Sequence, residues 1–143
     1  MDRTIPILMI EDDMVDVLSI RRAFAAHHFT HPLFVVSDGK QALSFLNNEG
    51  AYMDPSRAPR PGIILLDLNL PVMGGIEFLR VVKGDPKLRN IPVIVFTSSN
   101  QESDVEATYA LSVAGYIMKQ PDFGNFRDTV KIIESYWKRC ELP

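Results

Sequence analysis

Residues 63–69 read Ile63-Ile64-Leu65-Leu66-Asp67-Leu68-Asn69. Four apolar residues in succession are too few for a buried helix. They fit a strand covered on both faces, and the run stops at a carboxylate. Four more short apolar runs occupy residues 5–10, 33–36, 93–96 and 115–118, each rich in Ile, Val or aromatics. The longer segments between them have helical spacing. Val17, Ile20 and Phe24 share one face, as do Ala42, Phe45 and Leu46, then Ile76, Leu79 and Val82, and last Phe126, Val130, Ile133 and Trp137. The segment at 101–111 is the poorest, with only Val105 and Tyr109 firmly apolar. Five strand–helix alternations predict a parallel sheet with right-handed crossovers and helices on both faces. Residues 50–62, with Pro55, Pro59 and Pro61, read as a loop.

The 143 residues suit one domain, expected to span 1–143 with a C-terminal helix over about 122–138, a short tail and no effector domain. The apolar share of 46% against 23% charged is that of a globular protein. A formal charge of −3 gives no basic footprint for nucleic acid. No apolar run spans a bilayer and no signal peptide opens the chain, so no membrane partner is expected. The single cysteine, Cys140, can form neither an internal disulfide nor a structural zinc site, and a cytoplasmic location is expected.

Ligands of an open parallel sheet bind at the carboxyl ends of its strands. The first strand runs into Glu11, Asp12 and Asp13, the third into Asp67 and Asn69, the fourth into Thr97, Ser98 and Ser99, and the fifth into Lys119. In a flavodoxin-like (βα)5 three-layer sandwich of strand order 2-1-3-4-5, these ends meet in one pocket. Ionised Glu11, Asp12 and Asp67 would crowd about three negative charges together, which a divalent cation and Lys119 would balance. Mg²⁺ accepts such a set of carboxylate and carbonyl oxygens. A cation, a lysine and a threonine hydroxyl around one carboxylate are what phosphoryl transfer needs, with Asp67 as nucleophile.

With these residues the chain resembles a receiver domain of a two-component response regulator. The matching residues are Ile10-Glu11-Asp12-Asp13, Leu66-Asp67-Leu68-Asn69-Leu70-Pro71-Val72-Met73-Gly74-Gly75, Phe96-Thr97-Ser98 and Gly115-Tyr116-Ile117-Met118-Lys119. The resemblance covers nearly the whole chain. It implies Asp67 as phosphoacceptor and Glu11 and Asp12 as the acidic pair that holds Mg²⁺, Asp12 directly and Glu11 through water. It gives the backbone carbonyl of Asn69 to the metal and Lys119 to the phosphoryl oxygens. Thr97 is implied as the hydroxyl that moves toward the phosphoryl group, Tyr116 as the aromatic that follows, and the side chains of Asn69 and Ser99 as tuners of acyl-phosphate lifetime. Two departures stand out. Gln120 separates Lys119 from Pro121 where the family usually has Lys-Pro, and Gly74 stands where an acid is common. A narrower resemblance, to single-domain regulators that partner phytochrome-type histidine kinases, rests on Ile10-Glu11-Asp12-Asp13-Met14-Val15-Asp16, Asp67-Leu68-Asn69-Leu70-Pro71, the proline-bearing insert and the closing Tyr136-Trp137. It implies such a kinase as partner, an unnamed downstream protein target, and a homodimer through the last helix.

Simpler roles compete for single residues. Asp13 reads as a helix N-cap, with Asp16 in the first turn on the helix dipole. Thr97 could start the next helix, Lys119 could be a solvated charge, and Tyr116 could be a packed strand aromatic. Trp137, Tyr136 and Leu142 could be a partner surface or could only close the domain. His27, His28 and His31 read as a solvated helix end. Taken together, the four strand ends favour a phosphoacceptor switch, not an enzyme, whose transfer occurs between kinase and Asp67 and whose output is binding by the fourth helix, fifth strand and fifth helix. The alternative is a Mg²⁺-dependent aspartyl-phosphate phosphohydrolase. It lacks the second acid two residues after the nucleophile, where Asn69 stands. An interaction-only domain would not need the full set of acids, hydroxyl and amine.

Overall fold

Alternating side chains along each central strand feed two separate apolar layers. The structure, a computed structural model, describes residues 4–119 and 123–139; the side chains of residues 123–127, 137 and 139 are outside the description. The elements are β1 (Ile7–Ile10), α1 (Met14–Ala26), β2 (Leu33–Val36), α2 (Gly39–Leu46), a 3₁₀ turn (Gly50–Tyr52), β3 (Ile63–Leu66), α3 (Gly75–Gly84), β4 (Val93–Thr97), α4 (Glu102–Ala110), β5 (Gly115–Met118) and α5 (Phe123–Arg139). All strand pairs are parallel, in the order β2-β1-β3-β4-β5. This is the flavodoxin-like arrangement expected.

Ile7, Met9, Ile63, Leu65, Ile94 and Phe96 face one layer, where Val17, Ile20, Ala23 and Phe24 of α1 and Val130 and Ile133 of α5 cover them. Leu8, Ile10, Ile64, Leu66, Val93 and Val95 face the other, closed by Ala42 and Phe45 of α2 and Phe78, Leu79 and Val82 of α3. Strands buried on both faces therefore read as unbroken apolar runs. That expectation fails for the edge strands. In β2 only Val36 is buried; in β5 Gly115, Tyr116 and Ile117 are half-buried and Met118 is exposed. Each edge strand has a neighbour on one side only.

Smaller differences have local causes. β1 starts at Ile7, not residue 5, because Pro6 has no N–H to give the ladder and the Ile5 N–H is taken by His31 Nδ1 at 2.9 Å. The histidines are not a uniformly solvated end. His31 stacks edge-on with Phe29 at 4.4 Å, burial lowers its pKa from 6.5, and the Nε2 of His27 is buried without a hydrogen-bond partner. Helix α4 has one buried residue, Thr108, while Tyr109 is 51% exposed. Thr108 Oγ1 donates to the carbonyls of Asp104 and Val105 at 2.9 and 3.0 Å. The proline-bearing insert buries Ala58 and is clamped by Asn48, whose Nδ2 donates to the carbonyls of Tyr52 and Ala58. The expectations for Phe126 and Trp137 on α5, for Gln120 and Pro121, and for Cys140 and Leu142 lie outside the described residues. Among the described residues no helix is long and apolar enough to cross a membrane.

The connection from β3 to α3 is tightly folded. The Met73 N–H closes on the Pro71 carbonyl at 2.7 Å, with Val72 between them at φ 65°. The same loop accepts the Gly39 N–H on the Met73 carbonyl at 3.1 Å, and Gly75 gives its N–H to Leu68 at 3.1 Å. A methyl group on Gly75 would stand 2.7 Å from the Cα of Leu68, a backbone atom that cannot swing aside; on Gly84 it would meet nothing within 4 Å. Gly75→Ala is therefore expected to lower unfolding free energy by about 2 kcal/mol or more. Gly84→Ala is expected to raise it by about 0.5 kcal/mol through helix propensity. Urea titration of both variants checks the contrast.

Candidate functional site

The sheet's ladder continues one step past β1, β3 and β5 and fixes where the polar residues leave it. The Glu11 N–H donates to Val36, the Asp67 N–H to Ile10 and the Lys119 N–H to Thr97, at 2.9, 3.1 and 2.7 Å. Because Ile10 is in register with Leu66, and Thr97 with Met118, the side chains of Glu11, Asp67 and Lys119 emerge at one rim. Glu11, Asp12, Asp13, Asp16, Asp67, Asn69, Ser98 and Lys119 line a single pocket there.

Asp67 is the buried centre. Its Oδ1 accepts the Thr97 hydroxyl at 2.7 Å and the Asn69 N–H at 3.3 Å; its Oδ2 faces the Lys119 ammonium at 3.2 Å. Thr97 is fully buried, and its hydroxyl is already on Asp67 rather than waiting at a distance. Lys119 also donates to Glu11, and its Nζ is 2.7 Å from Asp16. Its chain reaches this place across the ring of Phe96, with Nζ 5.7 Å from the centroid.

The electrostatics follow from burial. Desolvation pushes Glu11 from 4.5 up to about 8, aided by the nearby Asp67 charge and opposed by Lys119. Burial by itself would lower the pKa of Lys119, but the hydrogen bonds it donates to Asp16 and Glu11 and the charges of Glu11 and Asp67 outweigh it and raise the pKa. The ammonium is the fixed charge, and Glu11 is the group that yields. One amine facing that many carboxylates leaves the pocket short of positive charge. Single oxygens of Glu11, Asp12 and Asp67 lie within 4.8 Å of one another, a spacing and donor set that suit a hard divalent cation.

The other expected residues sort themselves by contact. Asp13 caps α1, its Oδ1 accepting the Val15 N–H at 2.9 Å. The Asn69 side chain is exposed at the pocket. Ser99 turns away from it and donates to Asp104 Oδ2 at 2.5 Å, so Ser98 is the serine at the rim. Tyr116 is half-buried and donates its hydroxyl to the Ser99 carbonyl at 2.9 Å, which ties β5 to the loop before α4. Asp16 is the residue that sequence reasoning missed. A helix-dipole role accounted for it fully, and nothing in the spacing points to a lysine over a hundred positions away.

Comparison with known proteins places this geometry. The response regulator receiver domain family matches residues 7–131. Response regulator Rcp1 of Synechocystis sp. is 39% identical over 131 residues, covering 92% of this chain and 87% of that protein. The crystal structure of the phosphorylated cyanobacterial phytochrome response regulator RcpA superposes with a TM-score of 0.88 at 38% identity, covering 99% of each chain. The Mn²⁺-bound form of Rcp1 does so with a TM-score of 0.86 at 38% identity, covering 97% of this chain and 99% of that one.

A raised pKa on a carboxyl beside the cation position couples binding to proton release. Below about pH 8 the protonated Glu11 must ionise as a cation enters, so apparent Mn²⁺ affinity should rise with pH, by up to about tenfold per unit, and level off above 8. Glu11→Gln should flatten this rise. Calorimetry in buffers of different ionisation enthalpy measures both the affinity and the released proton.

Proposed function

The chain belongs to the response regulator receiver domain family, and from that premise we propose that Asp67 is the residue that takes the phosphoryl group from a partner histidine kinase. What carries this assignment is the convergence on one buried carboxylate: the Thr97 hydroxyl at 2.7 Å and the Lys119 ammonium at 3.2 Å, beside the acids Glu11 and Asp12. An Asp67 oxygen attacks phosphorus, the bond from phosphorus to the donor's histidine nitrogen breaks, and that nitrogen keeps the electron pair. Lys119 and Thr97 are aimed where the charge of the transferred group must settle. Mg²⁺ fits among Glu11, Asp12, Asp67 and the carbonyl of Asn69, and when bound it supplies charge neutralisation for the phosphoryl oxygens. In the free chain the Thr97 hydroxyl is bonded to Asp67; once Asp67 is phosphorylated its carboxylate charge is gone and the charged phosphoryl oxygens become the stronger acceptors. Tyr116, held to Ser99, and the weakly buried α4 are the elements free to respond.

The finer parts of the reading belong to the same proposal. The kinase is of the phytochrome type, as suggested by similarity to Rcp1 and RcpA. It docks on the start of α1, where Met14, Val15 and Leu18 are exposed apolar residues next to the pocket acids. The chain works as a single receiver domain in the cytoplasm. It assists its own dephosphorylation and otherwise acts by binding. Tyr109, Met118 and Ile132, exposed on α4, β5 and α5, support a target or a second copy on that face. Asn69, exposed at the pocket, sets the lifetime of the acyl phosphate, and Ser99 shares in this when its hydroxyl leaves Asp104.

Incubation with acetyl phosphate and Mg²⁺, read by intact mass, should give one phosphoryl adduct, absent in Asp67→Asn and with chelator. Repeated turnover of phosphate esters would favour a phosphohydrolase instead. Leu18→Glu should slow transfer from a partner kinase by about tenfold or more while leaving acetyl phosphate labelling unchanged. Equal loss in both assays would remove α1 as the docking surface.

A further inference from the structure

Asp16 has no part in the reading above, yet its carboxylate is 2.7 Å from the Lys119 Nζ, closer than that of Asp67. We propose that Asp16 is a positioning residue for the phosphoryl-transfer lysine: it holds the far end of the Lys119 chain so that one N–H points at Asp67. This rests on Asp67 as phosphoacceptor.

A lysine ammonium has three N–H donors, and three carboxylates, Glu11, Asp16 and Asp67, meet this one. The lysine starts at the edge of the sheet, beyond β5, and must cross β4 to serve a residue on β3. A flexible four-carbon chain spans that distance in many rotamers unless something fixes its tip. Asp16 can do so because its backbone is held in the first turn of a helix capped by Asp13. Glu11 is a poorer anchor. It also accepts the Asp13 N–H and shares the three-carboxylate cluster with Asp12 and Asp67, whereas Asp16 stands outside that cluster. Asp16 is thus the counter-ion that stays with the lysine when a cation engages the other acids. A helix-dipole role would need no contact with Lys119 at all.

The test compares Asp16→Asn, which loses the charge but keeps an acceptor oxygen of the same reach, with Asp16→Ala, which loses both. If Asp16→Ala fails to fold, Asp16→Ser, too short to reach Nζ, replaces it. Acetyl phosphate labelling with Mg²⁺ should proceed in Asp16→Asn within about threefold of the wild type, and in the alanine variant about tenfold slower than in the asparagine variant. NMR of the Lys119 ammonium should show hydrogen exchange about tenfold faster in the alanine variant than in the asparagine variant, with thermal midpoints only a few degrees apart. Equal labelling rates in the two variants, or alanine faster than wild type, would mean that Asp16 acts by charge alone or competes for the lysine, and would overturn the proposal. Wild-type chain that takes up no adduct would remove the phosphoacceptor reading and this inference with it.

Discussion

A single ammonium group facing the carboxylates of Glu11, Asp16 and Asp67 sets the terms for the rest of this molecule. Like charges so close, with two of the three side chains almost wholly buried, would repel strongly. Lys119 relieves part of that repulsion. Burial first, and the rest of that repulsion second, appear as the raised pKa of Glu11, which is in effect an affinity for positive charge that the protein itself does not satisfy. The pocket is therefore built for something cationic to enter and, with it, something anionic to follow.

Such crowding is sustained by the sheet beneath it. The parallel ladder is extended through the backbones of Glu11, Asp67 and Lys119, so these residues cannot drift apart without loss of strand pairing. Below them, the alternating faces of β1, β3 and β4 are closed by helices on both sides. The β3–α3 loop is folded too closely to relax: Gly75 lies against Leu68, Val72 sits at positive φ, and Met73 is bonded to Gly39 at the start of α2. The residue that receives the phosphoryl group in the proposed reaction thus rests on a closely packed loop with little room to shift.

Much of this was legible in the sequence, for a physical reason. Strands covered on both faces must be apolar throughout, so the polar residue that ends each run is conspicuous; Asp67 after Ile63–Leu66 is the plainest case. Order along the chain and the rules for parallel sheets then bring Glu11, Asp67, Thr97 and Lys119 together. What escaped had no such signature. Asp16 looks like any acid in a first helical turn. The half-burial of Leu33, Phe34 and Val35 depends on β2 being an edge, and apolar composition does not report how many neighbours a strand has. The burial of α4 at Thr108 was hidden because threonine adds nothing to an apolar stripe.

Burial of a single threonine, with no apolar stripe, separates α4 from the other helices. Its polar links run from Tyr116 of β5 to the Ser99 carbonyl and from the Ser99 hydroxyl to Asp104, while Thr108 turns back on Asp104 and Val105 within the helix itself. An apolar seam resists sliding because every intermediate position exposes oil to water. A clasp of hydroxyls and carboxylates can trade one acceptor for another, or for water, at nearly constant cost at each step. The consequence is mechanical: the layer under α1 and α5 behaves as a frame, whereas α4 rides on exchangeable fasteners that can be re-seated without prying the interior open.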